Sequence, residues 1–347
     1  MSLKHAMRSA KDAPESDDSA HNAGVSGAAP DTGDDDLTEA EAGQGGHSLY
    51  APRYWPWWIA VGTLWLHTRL PVRWQLASGR ILGRVFYRLF PRRRRIAAVN
   101  LELCFPELDP AQRDRLLREH FEGLGLMLVE TSIGWWVEDH RLRNIGTVEG
   151  LEHLHRALEK GRGVLLLTAH FTALEMGGRV LAMAVQHPLH GVHRPHENPV
   201  LQHCISQGRA RRFGRMYSRD DIRGILRSLK DGHALWYAPD QAYTGPRSVL
   251  APFFGVPAAS NPATARIARV SGAPVVPFLT LREPGGRYRL RLLPALEDFP
   301  GGDLEADTAR INKVIEEQVR LAPAQYYWVH RRFKRGGMAD PYSTRHI

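Results

Sequence analysis

Residues 163–169, GVLLLTA, set four consecutive aliphatic side chains between a glycine and a threonine. A strand with one wet face alternates apolar and polar residues. This run does not alternate, so it reads as a short strand covered on both faces, and such strands belong to parallel sheets held between layers of helix. The segments HALWYAPD, APVVPFLTL and YRLRLLPAL read as further strands of the same kind. Helical patterns lie between them. LDPAQRDRLLREHFEGLGLMLVETSIGWW opens on Asp109 as cap and Pro110 at the first helical position, and EGLEHLHRALEKGRG is amphipathic and stops at Gly161. NPVLQHCISQGRARRFG and NPATARIARVSG share one grammar of Asn cap, proline and terminal glycine, and a last helix lies near EADTARINKVIEEQVRLAP. Alternating strands and helices predict an α/β fold with a mostly parallel central sheet flanked by helices.

Charge divides the chain. Residues 1–48 carry ten acidic and three basic side chains, a net −7 within an overall +9, so the remainder carries +16. That acidic segment is rich in Ala, Gly, Ser and Asp and short of large apolar residues, so a disordered tail is expected. Residues 49–95 form a second region. Trp55, Trp57, Trp58 and Trp65 stand in a mostly apolar stretch, followed by Arg69, Arg73, Arg80, Arg84, Arg88 and Arg92 to Arg95. The apolar part, 54–66, is shorter than the ~20 residues of a straight membrane span. Its tryptophans and flanking arginines predict a membrane-anchoring helix, spanning or interfacial, with the body on the cytoplasmic side. A Trp-rich core helix is the alternative. Residues 96–335 are then the main α/β domain and 336–347 a C-terminal tail.

Several chemistries are missing from the sequence. It holds no G-x-S-x-G elbow, no phosphate-cradling glycine loop and no H-E-x-x-H. Cys104 and Cys204 form no disulfide or zinc pattern. His187, His190, His193 and His196 recur every third residue, but Pro188 and Pro195 oppose a helix and strand geometry alternates their faces, so no metal site is expected. No nucleic-acid module accompanies the basic charge.

His170 ends the first strand, and Glu175 follows five residues later. Ligands of open α/β sheets bind beyond the carboxyl ends of the strands, where a histidine can act as general base and a carboxylate can orient it. No serine or cysteine nucleophile stands nearby, so the base would deprotonate a substrate hydroxyl that attacks an activated acyl group. A second reading is structural: Thr172 and Glu175 stand in capping-box register. Five residues of ideal helix turn by about 500°, which leaves the two side chains about 140° apart. The pair therefore meets only if His170 precedes the helix, which would begin near Thr172.

TAHFTALEMGG resembles the H-x4-D/E motif of glycerolipid acyltransferases, in the glutamate form of the lipid A late acyltransferases. YWPWW, NLELCFPEL, HRPHENP, WYAPDQ, PFFGVPA and YYWVHRRFK resemble the same family in order, over residues 50–335. The resemblance implies a glycerolipid-acyltransferase-like fold at the bacterial inner membrane. It implies transfer of a lauroyl, myristoyl or similar chain from acyl carrier protein to a hydroxyl of the Kdo-lipid A precursor. His170 matches the general base, Glu175 its orienting carboxylate, Arg194 an active-site arginine and Asp240 a characteristic acidic position. Arg194 also reads as a solvated surface residue, and Asp240 as a turn residue after Pro239. The family often has Tyr where His193 stands and an acidic residue where Ala242 stands. A thioester donor is already activated, so no cofactor or metal is expected. The +16 body suits acidic acyl carrier protein, phosphorylated acceptor and inner membrane lipids alike. Phe171 and Thr172 backbone amides, or Arg194, are the expected donors to the thioester oxyanion. Two other functions stay open: acylation of a lysophospholipid or other glycolipid, and catalytically silent lipid binding.

Overall fold

The computed structural model describes residues 49–185, 187–334 and 340–344. The acidic tail expected at 1–48, and most of the tail expected at 336–347, lie outside the described residues. In chain order the helices α1 (Trp55–His67), α2 (Val72–Leu89), α3 (Pro91–Cys104), α4 (Pro110–Trp136) and α5 (Asp139–Leu142) precede the first strand. Then come β1 (Gly146–Glu149), α6 (Leu151–Leu158), β2 (Val164–Leu167), α7 (Leu174–Ala184), β3 (Leu189–His193), α8 (Pro199–Ala210), β4 (Met216–Ser218), α9 (Ile222–Lys230) and β5 (Ala234–Tyr237). The chain continues through β6 (Val249–Phe253), β7 (Val256–Ser260), α10 (Ala263–Ser271), β8 (Val275–Glu283), β9 (Arg287–Leu292) and α11 (Leu304–Leu321).

Seven strands form one sheet in the order β1-β9-β8-β2-β5-β3-β4, and β6 and β7 pair as a separate antiparallel hairpin. Every neighbouring pair of the large sheet is parallel except β8 with β9. The sequence expectation of a mostly parallel sheet flanked by helices is met. β2 sits near the centre between β8 and β5, and Val164 through Leu167 are fully buried. Leu165 and Leu167 join one core with Leu235 and Val275, while Val164 and Leu166 join the other with Ala234 and Val276. The unbroken apolar run thus has a plain cause: alternate side chains enter cores on opposite faces of the sheet.

α4 begins with the expected cap. The Asp109 side chain accepts from the Gln112 amide at 2.8 Å, and the Gln112 side chain accepts from the Asp109 amide at 2.9 Å. α2 lies against α4 at backbone distance. A Cβ on Gly83 would stand 2.2 Å from the Phe121 carbonyl oxygen, and one on Gly125 would stand 2.1 Å from that of Gly79. Glycine is therefore needed on both helices at the crossing.

Against this, α1 presents Trp55, Trp57, Ile59, Trp65 and Leu66 to solvent, and α2 presents Trp74, Ile81, Val85 and Leu89. Among the described residues no helix is long and apolar enough to cross a membrane.

Candidate active site

The site is assembled by strand register. β2 and β5 run parallel with Leu167 opposite Tyr237. Three residues past each strand end stand His170 and Asp240. The loops they occupy leave the same edge of the sheet, where open α/β folds bind ligands. His170 Nδ1 lies 2.6 Å from Asp240 Oδ1, and the His170 amide donates to Asp240 Oδ2 at 3.1 Å. The C-terminal segment closes over the same loop. The Tyr327 amide donates to the His170 carbonyl at 2.9 Å, and the Thr172 amide donates to the Gln325 carbonyl at 2.7 Å.

Asp240 is buried, which would by itself raise its pKa. The His170 charge, the hydrogen bonds from the His170 ring and amide, and one from the Tyr326 hydroxyl outweigh burial and hold it down at about 2. Burial likewise disfavours the His170 imidazolium, but Asp240, through charge and hydrogen bond, lifts His170 above its ordinary value. An ionised Asp240 fixes the imidazole proton on Nδ1 and leaves Nε2 with a free lone pair. That is the arrangement of a general base.

The expected His170–Glu175 contact is not formed. Asp240 takes the position on the imidazole that spacing assigned to Glu175. Glu175, the second residue of α7, is claimed by two other helices. Its Oε1 accepts from Arg209 Nε at 3.0 Å and from Arg209 Nη2, and its Oε2 accepts from Trp135 Nε1 at 3.1 Å. The capping box is not formed either. α7 starts at Leu174 with no side-chain cap, and Thr172 Oγ1 instead accepts from Arg282 Nη1 at 3.3 Å. Arg282 itself is buried in a two-pronged ion pair with Glu130, whose Oε2 lies 2.6 Å from Arg282 Nη2. Tertiary partners therefore overrode a local cap. His170 does precede the helix, as the angular argument requires.

A cavity of about 490 Å³ opens at His170. Leu174, Ile205, Phe213, Met216 and Trp236 give it apolar walls, and Arg209 and His330 are among its polar lining. Arg194 stands on the rim, 68% exposed, 4.0 Å from Glu197. His193 and Ala242 also line the cavity. Of the other histidines in that cluster, His190 pairs with Ser228 at 2.7 Å and packs on His233. Among the described residues no group of three or more His, Cys, Asp or Glu is placed to hold a metal ion.

Four residues of the site were not singled out by the sequence: Arg209, Trp135, Tyr326 and His330. Arg209 lies on α8, 34 positions from Glu175, and nothing in the spacing links them. Tyr326 and His330 lie within YYWVHRRFK, a segment noted only for its resemblance.

Residues 44–335 match the family model described as bacterial lipid A biosynthesis acyltransferase. The chain is 42% identical over 292 residues to the lipid A biosynthesis lauroyltransferase of Escherichia coli, covering 83% of this chain and 94% of that protein. It is 40% identical over 285 residues to the lipid A biosynthesis palmitoleoyltransferase of the same organism, covering 82% and 92%. To the lipid A biosynthesis myristoyltransferase of E. coli it is 28% identical, covering 86% and 94%.

Proposed function

The chain belongs to the bacterial lipid A biosynthesis acyltransferases, and from that premise we propose that it moves a fatty acyl chain from acyl carrier protein to a hydroxyl of the Kdo-lipid A precursor, with His170 as general base. The observation that carries the mechanism is the His170–Asp240 pair, whose histidine lines a partly apolar cavity. His170 Nε2 takes the proton of the acceptor hydroxyl as its oxygen attacks the thioester carbonyl. The tetrahedral intermediate collapses, the C–S bond breaks, and the leaving thiolate takes the proton from His170. Asp240 stays ionised throughout and steadies the transient imidazolium. Glu175 acts at one remove, holding Arg209 against the cavity wall. Arg194 and Arg219, on the rim, suit the acceptor's phosphates and carboxylates. The thioester supplies the activation, so the step needs no cofactor.

The reading includes attachment to the cytoplasmic face of the inner membrane. Support comes from the exposed tryptophans of α1, the apolar face of α2 and the arginines beside them. Arg92, Arg93 and Arg94 fall in the first turn of α3, where the helix dipole disfavours cations. An external anionic surface suits the exposed Arg92 and Arg93. At 13 residues α1 is shorter than the ~20 of a straight span.

The test is acyl transfer from acyl carrier protein to Kdo-lipid A precursor by the purified chain. Mass spectrometry of lipid A from a strain lacking the gene gives the acyl number in the cell. Activity lost in His170→Ala is expected. Retained activity, or an unchanged acyl number without a redundant enzyme, refutes the proposal. Preferential acylation of a lysophospholipid would replace the acceptor and keep the chemistry.

A further inference from the structure

The attacked thioester carbonyl develops negative charge on oxygen, and the backbone amides from His170 to Thr172, with that of Leu174, are already engaged. The Phe171 amide donates to the Ala169 carbonyl at 2.9 Å and the Thr172 amide to Gln325 at 2.7 Å. The His170 amide is taken by Asp240. Leu174 is the α7 residue that lines the cavity, and its amide donates to the Phe171 carbonyl at 3.1 Å. Arg194 stands exposed on the rim, and Arg209 spends Nε and Nη2 on Glu175. Of the donors expected from the sequence, the Phe171 and Thr172 amides are therefore engaged and Arg194 is turned largely to solvent.

We propose that His330 is a further catalytic residue, its imidazole N–H donating to the thioester oxyanion while His170 handles the proton. This rests on the acyl-transfer reading above.

His330 lines the same cavity as His170. Its backbone carbonyl is held by two donors. The His330 carbonyl accepts from Asn100 Nδ2 at 2.8 Å and from the Arg332 amide at 2.9 Å, and Asn100 also reaches the Trp328 carbonyl at 2.6 Å. Asn100 is held in turn by the Tyr342 hydroxyl at 2.6 Å. Two residues before Trp328, Tyr326 bridges Phe171 and sends its hydroxyl to Asp240. The scaffold that carries His330 is thus the one that closes on the His170 loop. The His330 ring itself makes no hydrogen bond to a described residue, so its N–H is free for a substrate atom, as a preorganised donor must be.

Charge separates the roles of the two imidazoles. Burial first, then the His170, Arg332 and Arg93 charges, push His330 down to about 4 against the opposing pull of Asp240. His170 is held above its ordinary value. Environments that drive two titratable groups apart assign them different tasks. His330 stays neutral across the working range, too weak a base to compete for the acceptor proton. A neutral imidazole still polarises a carbonyl as an electrophile.

The experiment compares full-length wild type, His330→Ala and His330→Gln, with acyl carrier protein thioester as donor and Kdo-lipid A precursor as acceptor. His330→Ala is expected to lower kcat about 10²- to 10³-fold with little change in either KM, the loss typical of one oxyanion donor. His330→Gln, which keeps a neutral N–H donor, should recover at least about tenfold of that loss. The pH at which kcat/KM rises should not move in His330→Gln, because it reports His170. A loss confined to KM, a kcat near wild type in His330→Ala, or a His330→Gln no better than alanine at matching thermal stability overturns the proposal. A wild type that acylates only another acceptor defeats the lipid A reading. The variant-to-wild-type ratio on that acceptor still decides the role of His330.

Discussion

Asp240→Asn is the sharpest perturbation available, because it changes one charge and almost no volume. In the native site Asp240 accepts from the His170 ring at 2.6 Å and from the His170 amide at 3.1 Å. An asparagine there can present its NH₂ to the ring instead. The imidazole then carries its proton on Nε2, and the lone pair that takes the acceptor proton is lost. In the serine-protease triad the equivalent change costs about 10⁴ in kcat. A loss of about 10³ to 10⁴, or roughly 4 to 5.5 kcal/mol of barrier, is expected here. The pH dependence carries a second signature. With Asp240 present, His170 titrates above its ordinary value, so the acidic limb of kcat/KM lies above about 6.5. Without that charge, burial dominates and the limb moves below it. Stability follows by linkage. The raised His170 contributes stabilisation that is complete below its unfolded value and lost as pH rises through its folded one. The depressed Asp240 contributes stabilisation present above about 3.8 and lost as pH falls toward about 2. The Asp240 shift corresponds to about 2 kcal/mol, so thermal melting of the variant at pH 6 should fall measurably. Steady-state kinetics from pH 5 to 9 and melting curves check all three. A variant within tenfold of wild type, with an unmoved acidic limb, would refute the assignment of Asp240 as the partner of the base.

Other outcomes follow from the same geometry. Glu175→Gln should release Arg209 from its two-pronged pair and lower kcat/KM roughly 10- to 100-fold, and Arg209→Lys should do no better, because an ammonium cannot reproduce the guanidinium fork. A transfer assay in which Arg209→Lys is fully active would contradict this. Gly178→Ala would set a Cβ 2.2 Å from Trp236 and 2.6 Å from Phe213, both walls of the cavity. It should cost about 1–3 kcal/mol in denaturant unfolding and shift the preferred donor to shorter chains. Glu130→Gln removes one partner of the buried pair with Arg282 and should destabilise by about 3–5 kcal/mol, read by the same unfolding curves. Replacing Trp55, Trp57 and Trp65 together by Ser should reduce co-sedimentation with vesicles containing anionic lipid, and raising salt should weaken binding of the wild type. Binding unchanged by both would refute an α1 membrane contact.

What the sequence disclosed, and what it hid, divides along physical lines. β2 was legible because burial on both faces leaves an unalternating run, and α4 because its cap uses only residues adjacent in the chain. β1 and β4, at the two edges of the sheet, are four and three residues long and carry no such signal. His170 was legible as the residue beyond a strand end. Its partner was not, because spacing along the chain favours Glu175 while contact is decided by the pairing of β2 with β5, 70 residues on. Glu175 keeps its place beside the cavity by another route, through Arg209 at the wall. The two carboxylates are thus not interchangeable. Asp240, buried and in contact with the imidazole, sets its tautomer and basicity, while Glu175 sets where a guanidinium sits. The sequence registered both acidic positions, but only the sheet register tells which one meets the His170 imidazole.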